Sequence, residues 1–386
     1  MERTLRQIFQ THFEKYAAQH RLAAYVHRAA YWIAHCRTAD LGGHVRRCPE
    51  GHVERAFYNS CHQRGCPQCQ ARATEQWLER QRARLLACAH HHLIFTLPHE
   101  LNALWCWNRA GLANLLFSTV RAVLFELLED ARYLGATPAF ISALHTWGRS
   151  LSLHPHLHVL IADGGLKDGA WVTPRRSHFL PARVVMLIFR GKLLDALKRA
   201  LAQGQLRLPP DTSRERLHSL LNRLGRKKWN VHIRARYAHG AGVATYLARY
   251  LKGGPLKNSQ LAHVTDHTVA FRYRPHGDDD DERANAVLMT LAPEAFLTRY
   301  LAHIPVPRLQ SARAYGLYGH RQRTALDRAR AQLGQPAVVE PQPLSAEKFI
   351  ARFQHIADTD RCPRCGTRLV FTSVTRYGTG PPPTSH

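Results

Sequence analysis

The stretch Ser152-Leu-His154-Pro-His156-Leu-His158-Val-Leu-Ile161 alternates histidines with apolar residues. Because residues two apart on a β-strand share a face, the histidines would project together while Leu157, Val159 and Ile161 face a core. Imidazoles side by side on a rigid strand form a ready-made site for a divalent metal ion. A solvent-facing polar edge would show the same alternation, so the pattern predicts a strand and leaves both interpretations of its histidines open.

A second apolar run, from Ala139 to Trp147, precedes this strand and is joined to it by the turn-like Gly148-Arg-Ser150. The two runs are predicted to form a β-hairpin. If the turn is tight, His145 lies on the same face as the histidines and is the candidate third metal ligand. The register decides this, and sequence does not fix it.

The rest of the chain mixes strand and helix patterns in an α+β order. Strand-like runs lie near residues 92–97, 229–237, 261–265 and 269–273, and helical periodicity marks residues 1–35, 71–88, 101–134 and 182–224. This order predicts a central antiparallel sheet flanked by helices, with the histidine strand in its middle. A small domain rich in cysteine comes before it.

The charge of the chain indicates a polyanion partner. Its 386 residues include 54 Lys and Arg against 28 Asp and Glu, a net charge of +26. Nucleic acid fits best because each neutralised phosphate releases condensed counterions, although a membrane-surface or ribosomal protein would carry similar charge. The acidic run Asp278–Asp281 is interpreted as a solvated turn rather than a carboxylate metal site.

Nothing in the sequence predicts export or membrane insertion. The N-terminus lacks the apolar core of a signal peptide, and the longest apolar run seen, Leu85–Leu97, is interrupted by three histidines. We therefore expect a soluble, cytoplasmic protein that has no membrane partner and keeps its cysteines reduced.

The cysteines cluster in a segment with few aliphatic residues, which would need a metal to hold it. Five candidates for the four positions of a tetrahedral zinc ion are Cys48, His52, Cys61, Cys66 and Cys69. Further residues that would suffice for a second ion are Cys36, His44 and His62. The alternative is a group of free thiols. A last pair, Cys362 and Cys365, has zinc-knuckle spacing and would need His355 or another chain to complete it.

A final motif is Gly242-Val-Ala-Thr-Tyr246-Leu-Ala-Arg249-Tyr250-Leu-Lys252. Tyrosines four apart lie on nearly the same side of a helix, which is also the spacing of an ordinary apolar stripe. A tyrosine can attack phosphorus when a metal polarises the phosphate and neutralises the developing charge. The presence of the histidine strand in the same chain favours this catalytic interpretation.

Taken together, these motifs resemble the rolling-circle transposases of the HUH class, in particular the insertion-sequence-ninety-one group. The resemblance covers nearly the whole chain, with its motifs in the family's order. They are Cys36–His44, Asn59-Ser-Cys61, Cys66-Pro-Gln-Cys69, His92-Leu-Ile-Phe-Thr-Leu-Pro-His-Glu100, Thr146-Trp-Gly148, His154–His158, Tyr246-Leu-Ala-Arg-Tyr250 and Tyr315-Gly-Leu317. The sequence departs from the family's zinc pattern at Gly51 and Gly65, where a cysteine and a histidine would stand.

The resemblance implies an HUH-type nuclease fold preceded by a zinc-binding domain. It implies that His156 and His158 bind Mg²⁺ or Mn²⁺, and that Tyr246 and Tyr250 are nucleophiles that form a 5′-phosphotyrosine on single-stranded DNA and release a 3′-hydroxyl. Zinc would be structural and would serve DNA-end recognition. We take Arg249 and Lys252 as candidate DNA contacts. The expected partners are transposon ends and target DNA, and an oligomer is compatible with this chemistry.

The predicted division is residues 1–88 for the N-terminal helix and zinc-binding domain, 89–300 for the nuclease domain with helical insertions, and 301–386 for a basic, partly disordered tail. Two further functions stay open on sequence alone. A replication initiator or relaxase would use the same chemistry, and a non-catalytic zinc-dependent DNA-binding regulator would use its histidines and tyrosines structurally. A basic RNA-binding protein would need aromatic stacking platforms that we do not identify.

Overall fold

A computed structural model gives the architecture, and it describes residues 4–174, 180–234, 236–237, 254–274, 286–345, 348–349 and 361–375. The predicted α+β fold with antiparallel sheets flanked by helices is confirmed. The helices are α1 (Leu5–Gln19), α2 (Ala24–Ala34), α3 (Gln70–Arg84), α4 (Asn102–Trp107), α5 (Arg109–Leu128), α6 (Ala182–Ala202), α7 (Arg214–Leu224), α8 (Pro293–Leu301) and α9 (Arg323–Gln332).

The central sheet has six strands, and all its pairs are antiparallel. Its order is β11-β4-β5-β3-β7, with β6 paired to the far end of β5, so the histidine strand lies in the middle as predicted. The strands are β3 (His90–Thr96), β4 (Thr137–Trp147), β5 (Leu153–Lys167), β6 (Ala170–Val172), β7 (Val231–Ile233) and β11 (Ala312–Gly316).

One face of this sheet carries the largest core. Phe95 of β3 packs edge-on against Phe189 of α6 with ring centroids 5.1 Å apart, and Phe189 in turn contacts Trp229. The apolar helix α5 lies in the same core. By length and composition α5 could cross a membrane. Its buried residues account for this composition, because they pack against the sheet and α6.

The predicted helix over residues 101–134 is two helices, separated at Asn108. The side chain of Asn108 donates to the carbonyls of Leu104 and Arg207 and accepts from the backbone amide of Arg207. A side-chain amide that bonds neighbouring backbone groups competes with the helix, which explains the break. The predicted N-terminal helix is likewise two helices, α1 and α2.

Two smaller sheets accompany the central one. Strands β8 (Leu261–Val264), β9 (Val269–Tyr273) and β10 (Val287–Leu291) share a core with α1, α2 and α8. Strands β1 (Gly43–Arg47) and β2 (Glu54–Tyr58) form a three-stranded sheet with β12 (Val370–Thr375). The structure thus joins elements from all three predicted segments, since α8 and β12 pack on the N-terminal residues.

Candidate metal centres

The β4–β5 hairpin brings the predicted metal-binding histidines together. Its register sets His145 directly opposite His156 and Ala143 opposite His158. Directly opposed residues in an antiparallel pair project from the same face. The three histidines therefore share one face at one end of the two strands, which is the face opposite the Phe95 core.

The ligand atoms of these three histidines lie within 4.8 Å of one another. The Nε2 atoms of His156 and His158 are 3.0 Å apart. The His145 ring is centred 4.5 Å from the His158 ring and 5.4 Å from the His156 ring. Three protein nitrogens leave the remaining positions of a bound cation open, which is typical of catalytic rather than structural sites.

All three rings are buried, with exposures of 2%, 8% and 6% for His145, His156 and His158. Burial lowers the pKa of His156 to about 4. Burial and the neighbouring histidines hold the pKa values of His145 and His158 well below the ordinary range. The imidazoles are therefore neutral at pH 7, and neutral imidazole is the form that binds a metal ion.

Two contacts orient the ligands. The Nδ1 atom of His156 donates to the carbonyl oxygen of His154 at 2.6 Å, which leaves the lone pair on Nε2, the atom that faces His158. The Nδ1 atom of His158 lies 2.8 Å from Nε2 of His92, a fully buried residue of β3. Partners behind a metal-binding histidine fix its tautomer and ring orientation, and His92 is placed to do this for His158.

The histidine face continues across β3 to β7. Ile94 is paired with His158 on one side and with His232 on the other, so the exposed His232 lies on this face. The backbone amide of Arg234 donates to the carbonyl of His92 at 2.9 Å. Burial, the neighbouring histidines and Arg234 together lower the pKa of His158. A permanent cation beside the cluster suits a polyanionic ligand.

Four predicted site residues lie outside the described residues: Tyr246, Tyr250, Arg249 and Lys252. The acidic run Asp278–Asp281 lies outside them as well. The described chain before the tyrosine motif ends on the central sheet, where Tyr237 bridges His90. It resumes at residue 254.

The predicted zinc ligands fall into two separate groups. Cys61, Cys66 and Cys69 join Cys36, and the ligand atoms of all four lie within 4.8 Å of one another. Sulfur–sulfur distances are 3.4 Å for Cys36 and Cys69, 3.5 Å for Cys61 and Cys69, and 3.7 Å for Cys36 and Cys66. A zinc–sulfur distance of about 2.3 Å in a tetrahedron implies edges of about 3.8 Å, so this cluster fits a structural zinc ion.

The other two candidates, Cys48 and His52, lie beside Cys362 and Cys365 instead. The remaining histidines of the segment make other contacts. His44 stacks on Phe57, and His62 bonds Ser60. Neither belongs to a metal-binding group within the part of the chain that the structure describes.

Two residues near these centres, His92 and Arg234, and one pairing of candidate ligands were not predicted from the sequence. His92 begins a quoted motif, and the alternation from His92 to Ile94 places it on the ligand face. Arg234 gives no signal of its own, because only the pairing of β7 with β3 brings it to the cluster. For Cys362 and Cys365 the sequence suggested His355, which lies outside the described residues, or another chain; in the structure Cys48 and His52 lie beside them.

Comparison with known proteins gives the family. Residues 8–97 match the family model described as "Transposase zinc-binding domain", and residues 139–325 match the one described as "Putative transposase". The chain is 33% identical over 386 residues to "Putative transposase y4qJ" of Sinorhizobium fredii, covering 97% of this chain and 96% of that protein. No solved structure matches the chain.

A second relative is "Transposase for insertion sequence element IS801" of Pseudomonas savastanoi pv. phaseolicola. It is 31% identical over 357 residues, covering 88% of this chain and 81% of that protein. The two domain matches follow one another in the chain, and the four-cysteine cluster lies within the first. The chain therefore belongs to the IS91 family of transposases, enzymes that act on DNA, and carries an N-terminal zinc-binding domain whose cysteine cluster supports a structural zinc ion.

Proposed function

We propose that this transposase cuts and rejoins single-stranded DNA at the ends of its element in a rolling-circle-type reaction. In this proposal Tyr246 or Tyr250 is the nucleophile, and a divalent metal ion is held by His145, His156 and His158. The observation that carries the proposal is the buried, neutral three-histidine cluster on one face of the central sheet.

The donor set fits a divalent cation and favours Mn²⁺ over Mg²⁺. Imidazole nitrogen suits first-row transition metals, whereas Mg²⁺ prefers oxygen ligands and keeps several waters. Three neutral imidazoles add no negative charge to the site, so a phosphate oxygen would be the first anionic ligand. When bound, the cation would polarise the scissile phosphate and neutralise charge that develops on it.

The reaction balances without water. The phenol oxygen of one tyrosine bonds to phosphorus, the bond from phosphorus to the 3′-oxygen breaks, and the proton lost by the tyrosine ends on the 3′-hydroxyl. The product is a 5′-phosphotyrosine, and attack on it by a 3′-hydroxyl reverses the step and rejoins the strand. Two tyrosines would let one enzyme hold two strands in turn.

The charge of the chain supports a nucleic-acid substrate. Arg234, next to the histidine cluster, is a candidate for binding the phosphate backbone near the scissile bond. Arg249 and Lys252 stay candidate contacts on the tyrosine segment. Single-stranded DNA is the substrate that the resemblance to the rolling-circle transposases implies.

The test is a covalent-adduct assay. Purified enzyme is incubated with labelled single-stranded DNA from its element's end and Mn²⁺ or Mg²⁺, and adducts are resolved in denaturing gels. We expect an adduct that requires the cation. The adduct should be lost in the double variant that combines Tyr246→Phe and Tyr250→Phe, and it should also be lost in His156→Ala. The two single tyrosine variants show which residue attacks first. Tyr133→Phe is the matched control and should keep the adduct, because Tyr133 packs against the Phe95 core, on the face of the sheet opposite the histidines.

The outcomes separate the remaining alternatives. Tight DNA binding with no adduct at any cation would favour a non-catalytic regulator. An adduct that persists in the double tyrosine variant would move the nucleophile elsewhere. Cutting without rejoining of element ends to target DNA would favour the chemistry of a replication initiator or relaxase.

A further inference from the structure

Two short Cys-Pro turns, each closed by the backbone amide of a glycine, bring a segment near residue 50 and a segment near residue 364 together. One is Cys48-Pro-Glu-Gly-His52, and the other is Cys362-Pro-Arg-Cys365-Gly366. In the first, the amide of Gly51 donates to the carbonyl of Cys48, and in the second the amide of Gly366 donates to the carbonyl of Cys362, each at 2.9 Å. Both glycines have left-handed φ angles, 73° and 71°. Such turns aim two side chains at one point.

The four potential ligands meet at metal-binding distances. The sulfurs of Cys48 and Cys365 are 3.5 Å apart, and the sulfur of Cys48 lies 3.7 Å from Nδ1 of His52. Cys362 completes a set whose ligand atoms lie within 4.8 Å of one another. A tetrahedral zinc ion with three sulfurs and one nitrogen implies edges of about 3.8 Å between sulfurs and about 3.6 Å from sulfur to nitrogen.

The surrounding structure gives this corner little other stabilisation. Its buried apolar cluster consists of Cys48, Cys362 and Leu369, with Val53 packed against it. Phe371 and Val374 on the attached strand β12 are 60% and 62% exposed. Segments with so small a core usually need a metal or a covalent link to stay folded.

We propose that Cys48, His52, Cys362 and Cys365 bind a second structural zinc ion that ties the C-terminal segment to the N-terminal domain. This site is separate from the four-cysteine cluster and uses two ligands beyond the matched zinc-binding region, residues 8–97. It holds β12 in register with β1, where Thr372 donates to the carbonyl of Val45, 327 positions away in the chain.

A disulfide between Cys48 and Cys365 fits less well. A disulfide would bring the sulfurs to about 2.05 Å, would leave Cys362 and His52 without a role, and would need an oxidant. The approach of a histidine nitrogen to the same sulfur is a property of a metal site.

Metal content of the full-length protein tests the proposal. The parent protein for this measurement carries both His145→Ala and His156→Ala, so that zinc bound at the histidine cluster does not enter the count. We expect two zinc ions per chain, falling to one in Cys365→Ser and to one in Cys362→Ser. Cys106→Ser, an exposed cysteine outside both groups, is the control and should keep two. Strand cleavage is not the readout, so failure here and failure of the proposed nuclease are distinguishable.

A second measurement guards against misfolded variants. In His52→Cys the second site has four sulfur ligands and should still hold its metal. After cobalt substitution, the sulfur-to-cobalt charge-transfer absorption per chain should rise in the ratio of eight thiolate ligands to seven, since the four-cysteine cluster supplies four and the second site supplies three before the change. One zinc ion in the parent, or two in Cys365→Ser, would overturn the proposal. Loss of metal in His52→Cys together with retention in His52→Ala would do so as well.

Discussion

Replacing His92 by phenylalanine removes the nitrogen that contacts His158 while keeping a buried ring of similar shape. In the metal-bound form the Nδ1–H of His158 would lose its acceptor, and a buried donor without a partner costs about 1–3 kcal/mol. Outer-shell histidine partners contribute about 10–100-fold to metal affinity. We therefore expect His92→Phe to raise the Kd for Mn²⁺ by about 10–100-fold, equivalent to about 1.4–2.8 kcal/mol.

The assay is Mn²⁺ titration followed by electron paramagnetic resonance of the free ion. His91→Phe is the matched control, because His91 is the preceding residue and is similarly buried, but its Nε2 contacts Asp163 on the other face. Thermal scans of both variants separate a loss of folding from a loss of affinity. An unchanged Kd in a folded His92→Phe protein, or equal weakening in both variants, would refute the assigned role of His92.

Three more perturbations follow from the structure. Burial lowers the pKa of His90 to about 4 from an ordinary 6.5. The unfolded chain therefore binds a proton at His90 before the folded chain does, and the free energy of unfolding falls as the pH drops from 6.5 towards 4. Urea titrations should show wild type losing about 2 kcal/mol more than His90→Gln between pH 7.5 and 5. A Cβ on Gly316 would overlap the carbonyl oxygen of Pro138, so Gly316→Ala should cost more than about 2 kcal/mol of unfolding free energy, whereas Gly334→Ala, with open space around it, should cost less. Arg234→Gln should weaken single-stranded DNA binding and lower the slope of log K against log salt concentration by about the amount that one phosphate contact contributes. An unchanged slope would show that Arg234 makes no phosphate contact.

The histidine site could be predicted because it is local. Its three candidate ligands lie on two consecutive strands, and alternation determines which side chains of each strand share a face. The choice of His145 depended on register alone. The observed pairing of His145 with His156 follows from the connection over residues 148–152 together with a register shift between His145 and Trp147, which no sequence pattern signals. Only His92 comes from a third strand, and the sequence contains no pattern that says β3 adjoins β5 rather than β4.

The candidate zinc ligands lie in two groups in the structure, and spacing along the chain does not predict that division. Spacing predicts which cysteines form a knuckle, yet it carries no information on which knuckles face each other in space. Cys36 follows α2, and Cys362 lies far along the chain, so both joined their groups through tertiary packing. For the same reason the sequence did not predict the pairing of β12 with β1, and composition alone describes residues 301–386 as a tail.

The hydrogen bonds of the histidine cluster would let it bind the proposed cation without releasing protons. His156 carries its proton on Nδ1, bonded to the carbonyl of His154. Without a cation, the 3.0 Å contact requires Nε2 of His158 to donate to Nε2 of His156, and His92 then donates to Nδ1 of His158. With a cation, His158 would need its Nε2 lone pair, so its proton would move to Nδ1. His92 would then carry its own proton on Nδ1 and accept at Nε2. Every ring stays neutral in both arrangements, and burial lowers the pKa values of His156 and His92 to about 4 and about 3. Metal affinity should therefore be nearly independent of pH above about 6, and the cost of removing His92 arises because this one side chain supports both arrangements.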